Sequence, residues 1–193
     1  MNYAVYAAAV LGIVFALAML LIPNTTSATR EIAFDAPIEA VWAVYTEPGS
    51  QPEWRQDVGA VSVSDDGQSW TEVLAGSAMT IHFEILEKTS PHRFVLRISS
   101  PGSFEGLYTA TFAETESGTV GAFTEEATAS GLIPKVMRFL FFDHGAFIEK
   151  YAEDAKNEIR RRHAAAIEEL RAVRGEMQLG ELDWKHIRDQ GRK

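Results

Sequence analysis

Two side chains in this sequence have the chemistry of an acid–base pair and an alternation that turns both toward a protein interior, Tyr108 and Glu125. Tyr108 shares its strand parity with Phe104, Gly106, Ala110 and Phe112, so it points to the apolar side, where its hydroxyl needs a partner. Glu125 alternates with Gly121 and Phe123; if Phe123 points inward, so does Glu125, unless a bulge intervenes. A carboxylate taken out of water has its pKa raised unless it is paired, which is how general acids are made. The competing reading is a strand-end carboxylate in solvent, the commoner fate of a glutamate.

Other polar groups fit a site less well. His82 and Glu84, with Thr80, lie on one face of a strand and have the spacing of an acid–base pair or half a metal site. Ile81, Phe83 and Ile85 take the opposite face, which the pattern assigns to the core, so His82 and Glu84 are expected in solvent. Arg97 follows the same logic, because Phe94, Leu96 and Ile98 take the inner face. Trp70 and Glu72 share a face that the pattern leaves undecided. Asp143 and His144 are neighbours on a helix, diverge by about 100°, and do not form a dyad with each other. Arg138, on the first turns of that helix, suits an anionic group or plain solvation. The histidines are scattered at 82, 92, 144, 163 and 186, and no phosphate loop, dinucleotide glycine pattern, zinc spacing or nucleophile elbow is present. No metal and no cofactor is expected. With 0 cysteines, disulfides, thiolate ligands and cysteine catalysis are excluded.

These groups are positioned by a helix, a run of strands and a last long helix. Residues 37–46 read as a helix, with Pro37 at its start, Glu39 in the first turn, and Ile38, Val41, Trp42 and Tyr45 on one stripe. Pro48-Gly49 ends it, and the Pro52-Glu53-Trp54 corner follows. A short first strand at 31–34 precedes this helix. Strand patterns follow it at 58–63, 69–74, 79–85, 93–99, 104–113 and 119–128, separated by turn sequences such as Asp65-Asp66-Gly67. Consecutive strands with short turns predict an antiparallel meander. From Pro134 to about Val173 the pattern is helical, with Val136, Leu140, Phe147, Tyr151, Ala155 and Ile159 on one face and a kink near His144-Gly145. Residues 174–193 read as a polar tail.

The first segment is of another kind. Residues 3–22 are an uncharged apolar run of the roughly 20 residues that cross a bilayer as a helix, so 1–23 is predicted as a single-pass transmembrane anchor and 24–30 as a linker. A cleaved signal peptide is the alternative, but Met1-Asn2 carries no basic residue and the run is long. Arg30, the nearest basic side chain, leans the domain toward the cytoplasmic side. The net charge of −9 excludes a nucleic-acid partner, whose phosphates need a basic face.

The order helix, strands, long helix, with "AP.E.VW" from residue 36, "PEW" at 52–54, "GTVGAFTEE" at 118–126 and a Gly131-to-Pro134 entry into the last helix, resembles the START-like (SRPBCC) superfamily. The branch it resembles is that of polyketide cyclases/dehydrases and lipid transport, over about 31–172. The resemblance implies an α+β helix-grip fold, six to seven antiparallel strands curved around the C-terminal helix, with a largely apolar ligand cavity between them. The ligand-binding set expected from strand parity, helix face and, for Phe123, the family's aromatic position is Tyr108, Phe123, Glu125, Arg138, Leu140 and Phe147. The leading function is a membrane-anchored module that binds or shields an apolar small molecule or lipid. The alternatives are a cyclase or dehydratase using Glu125 and Tyr108, and an interaction module that docks a membrane-protein partner through Phe139–Phe142.

Overall fold

The computed structural model describes residues 21–176 together with Tyr3, Tyr6, Val10 and Gly12. Seven strands form one antiparallel sheet: β1 (Thr25–Phe34), β2 (Val58–Val63), β3 (Ser69–Leu74), β4 (Thr80–Thr89), β5 (Arg93–Ser100), β6 (Phe104–Thr115) and β7 (Gly118–Ala129), in the order β1-β7-β6-β5-β4-β3-β2. The six later strands run as a meander, and β1 closes the other edge on β7. Helix α1 (Ile38–Thr46) and a 3-10 turn (Pro48–Glu53) lie between β1 and β2, and α2 (Leu132–Phe141) and α3 (His144–Glu176) follow β7.

The core sits where helices meet the concave face of the sheet. Ile148, Ala152, Ala155 and Ile159 recur at helical spacing on α3 and pack with Phe94, Leu96, Ile98 and Phe112 of the sheet and Val41, Trp42 and Tyr45 of α1. An aromatic knot joins the layers, with Tyr45 stacked on Phe123 at 4.9 Å and edge-on to Phe34 and Phe112. From Arg160 onward α3 belongs to a separate compact unit, of which 160–176 are described; its side chains are exposed through 174 apart from the half-buried Arg162, and Glu168 pairs with Arg171.

Gly106 is fixed by close approach rather than by a turn. A methyl group there would lie 2.1 Å from the Glu126 carbonyl oxygen of β7, a backbone atom that cannot swing aside. Gly106→Ala is therefore expected to cost about 2 kcal/mol or more, read as a lowered denaturation midpoint. Gly49→Ala, with nothing within 4 Å of the added carbon, serves as the near-neutral control.

Three expectations are corrected. The predicted linker is strand from Thr25 on, because Thr25–Arg30 pair in register with Thr128–Phe123 of β7. The predicted single helix is two: Phe142 is extended (φ −122, ψ 117), and the Asp143 carboxylate accepts from the Ala146 N–H at 3.0 Å. Asp143 thus caps a new helix rather than kinking an old one. The predicted tail begins inside α3. The predicted membrane-spanning run 3–22 and the tail residues 177–193 lie largely or wholly outside the described residues. Among the described residues, no helix is long and apolar enough to cross a membrane.

Candidate functional site

A cavity of about 600 Å³ lies between the concave sheet face and α2 and α3, and its walls are mostly apolar. Met79, Ile81 and Phe83 of β4 and Phe94, Leu96 and Ile98 of β5 supply one wall. Three groups of polar side chains line it as well.

The first is Glu125 with His144. Glu125 sits on the inward parity of β7 and is 6% exposed; His144, the first residue of α3, is 7% exposed. The break before α3 turns the imidazole toward the sheet. Its Nδ1 lies 3.0 Å from Glu125 Oε1, and its Nε2 lies 2.8 Å from the Thr26 hydroxyl of β1. An ionised Glu125 only accepts, so Nδ1 is the donor in that contact, and the Thr26 hydroxyl can serve Nε2 as donor or acceptor. The Phe142 ring stands edge-on to the imidazole at 4.7 Å.

The second group is built on Arg55, 5% exposed, just after the Pro-Glu-Trp corner. Its Nη1 donates to Gln51 Oε1 at 2.5 Å and Glu72 Oε2 at 3.1 Å, and its Nη2 to Asp57 Oδ2 at 2.7 Å. Trp70 Nε1 donates to the other Glu72 oxygen at 3.0 Å, and the guanidinium lies 4.8 Å over the Tyr151 ring. Burial pushes the Glu72 carboxyl above its ordinary value even with Arg55 beside it. Burial acts the same way on Asp57, but the Arg55 hydrogen bond and charge win there, and its pKa falls. Every donor nitrogen of Arg55 has an acceptor, Nε reaching Asp57 Oδ1 at 3.4 Å, so the network holds itself together.

The third group is three tyrosine hydroxyls. Tyr45, Tyr108 and Tyr151 all line the cavity, and burial raises the pKa of each. Among the described residues none of these hydroxyls makes a hydrogen bond. Each is a neutral donor at neutral pH on the cavity wall, an arrangement that suits an oxygen atom arriving on a ligand.

Of the residues singled out from the sequence, Tyr108, Phe123, Glu125, Arg138 and Phe147 line the cavity. Leu140 does not: it is 61% exposed, because the break after α2 destroys the phase that set it in line with Phe147. Arg138 is not free to meet a ligand with its tips, since Nη1 donates to the Ala127 carbonyl at 2.8 Å and Nη2 to that of Asn24. Its Nε is buried and has no partner among the described residues. His82, Glu84 and Arg97 are exposed, Glu84 paired with Arg97. The pairing of His144 with Glu125 and the Arg55 network were not anticipated. Among the described residues no group of three potential ligands is placed to hold a metal.

A curved antiparallel sheet gripping a helix over an apolar cavity defines a helix-grip domain. The chain belongs to the polyketide cyclase/dehydrase and lipid transport family, which it matches over residues 25–172, and so to the SRPBCC superfamily. No curated protein matches it. Among solved structures it is similar to the Zhui aromatase/cyclase from Streptomyces sp. R1128 (TM-score 0.61, 15% identity, 74% of this chain and 98% of that one). It is also similar to a conserved protein from Geobacillus kaustophilus (0.59, 14%, 71% and 95%). Norcoclaurine synthase from Thalictrum flavum, in complex with dopamine and hydroxybenzaldehyde, is a third (0.56, 12%, 71% and 87%). At these identities the likeness is one of fold.

Proposed function

We propose that this domain binds an apolar small molecule, lipid-like or polyketide-like, in the cavity between sheet and helices, with an oxygen function of the ligand at Tyr45, Tyr108 and Tyr151. The observation that carries this reading is the combination of a 600 Å³ apolar space with three inward hydroxyls that make no hydrogen bond among the described residues. Affinity comes from apolar burial, at roughly 25 cal/mol per Å² before ordering costs, and the hydroxyls orient the polar end. A ring bearing oxygen, the class of compound found in the norcoclaurine synthase complex, is one chemistry that suits aromatic walls and phenolic donors. The uncharged run 3–22 supports attachment of the domain to a membrane, and Arg30 supports the cytoplasmic face. The test is mass spectrometry of small molecules extracted from the purified full chain, native and after loading with membrane extract. A stoichiometric apolar compound is expected; an empty protein that also excludes hydrophobic probes overturns the reading.

Catalysis is the second reading, favoured by the buried Glu125–His144 pair on the cavity wall. Glu125 would take a proton from carbon next to a substrate carbonyl, His144 would hold the carboxylate in place, and Tyr108 would donate to the developing enolate oxygen. Glu125→Gln and Tyr108→Phe are expected to lower turnover by about 100-fold or more while ligand is still retained. Unchanged turnover in both variants removes the enzymatic reading and leaves the binding one.

A further inference from the structure

Helix α2 keeps in water the apolar face that a helix of a soluble domain ordinarily hides. Leu132, Ile133, Met137, Phe139, Leu140 and Phe141 are between 53% and 77% exposed, and no residue of the helix is buried. A contiguous surface of this kind marks an interaction site. The helix carries only basic charge, Lys135 and Arg138, in a chain of net charge −9. Its position is also informative. Arg138 holds the carbonyl of Asn24, two residues past the apolar run 3–22, and the Ala129 N–H holds the same oxygen at 2.9 Å. The exposed helix therefore lies beside the point where the chain leaves that run. Pro134, Met137, Arg138 and Phe141 of the same helix wall the cavity.

We propose that the exposed face of α2 seats in the interfacial layer of a lipid bilayer, the one in which residues 3–22 belong. An apolar helical face rich in Phe and Leu, with Lys135 on the same helix and no acidic residue, is the composition that lies in the plane of an anionic membrane surface. A second copy suits the face less well than the bilayer does, since only the bilayer also accounts for the helix lying beside Asn24, where the chain leaves the apolar run. The chain's own first segment suits it less well too, since an uncharged run of this length is itself assigned to the hydrocarbon layer. With α2 in the lipid, the cavity wall faces the bilayer and an apolar ligand exchanges with it directly. That consequence rests on the ligand-binding reading; the docking rests only on the membrane attachment proposed for residues 3–22.

The chain has 0 cysteines, so a single introduced thiol reports one place. The full chain carrying Phe139→Cys, labelled with a polarity-sensitive fluorophore, is reconstituted into vesicles of phosphatidylcholine and phosphatidylglycerol. Asp65→Cys, on the turn at the opposite edge of the sheet, is the reference. The label at 139 is expected to shift to the blue and be quenched by spin-labelled lipid, and the label at 65 to do neither. Adding Leu140→Glu and Phe141→Glu should abolish the shift at 139 while the protein stays on the vesicles. A label at 139 that remains in water on vesicle-bound protein overturns the proposal. So does a shift that lipid does not quench, whether it is present before vesicles are added (residues 3–22 cover the face), grows with protein density (a second copy), or needs added protein (a protein partner). Lipid quenching at 139 with no small molecule recovered from the chain leaves the docking standing and removes only the exchange route.

Discussion

Arg55→Ala is expected to lower the unfolding free energy by about 3–5 kcal/mol, the cost of stranding a buried charge by removing its partner. Glu72, 1% exposed, would keep only the Trp70 indole N–H, and Gln51 and Asp57 would lose their donor as well. Urea titration across pH gives this prediction a sign. Folding raises the Glu72 pKa, so above the ordinary value of 4.5 the folded state binds more protons than the unfolded one. Stability therefore falls as pH rises through the window between 4.5 and the folded value. Without Arg55 the folded value climbs further, so the fall should be steeper and extend to higher pH. Asp57 works in the opposite direction. Its folded pKa is depressed, so its contribution is present above 3.8 and is lost as pH falls through the folded value. That contribution should shrink without Arg55, leaving what a backbone hydrogen bond and the Lys150 charge supply. The double variant Arg55→Met with Glu72→Leu is expected to recover most of the loss, because replacing a whole buried pair by apolar groups is often neutral. An Arg55→Ala protein with wild-type stability and an unchanged pH slope would mean that the network carries no strain of burial.

The second large effect is on binding. Ile98→Trp is expected to weaken uptake of a hydrophobic probe at least tenfold while leaving the melting temperature unchanged or raised. Ile98 is 6% exposed, lines the cavity, and has Gly106 as its cross-strand neighbour, so nothing from β6 blocks a larger side chain. In a filled core the same change forces displaced rotamers and costs about 1–3 kcal/mol. Differential scanning calorimetry beside a probe titration separates these results. A marked loss of stability would show that the space is not available to a ligand.

Much of the sheet was legible because its signals are local. β2 and β3 run over the residues the alternation assigns, since Gly67 between them adopts φ +67 and sets the turn. β1 is longer than its pattern, because Thr25 to Arg30 carries no apolar alternation; those residues become strand by pairing with β7 at the sheet edge. The helix break was hidden by the Phe139–Phe142 run, which suits either state, although Asp143 three residues before Ala146 is a capping spacing. In the site, Glu125 was reachable by parity from Phe123. Its partner is not: helical spacing compares His144 only with its neighbours in sequence, whereas the contact spans 19 positions and depends on where α3 starts. Arg55 to Glu72 spans 17 positions, between a corner that reads only as a turn and a strand with mixed faces. Parity says which side chains share a face; which faces meet is decided by the tertiary fold.

The start of β1 at Thr25 also governs orientation. A flexible leash would let the domain swivel freely relative to whatever holds the residues before Pro23. Instead Asn24 is pinned from two sides and the chain enters at once a ten-residue ladder with β7. Torque applied at Pro23 passes into the sheet rather than being dissipated in a loop. The heading of the domain about its point of attachment is then a property of the fold, and lengthening the chain between Pro23 and Thr25 with glycines should show up as faster rotational depolarisation of a reporter on the domain.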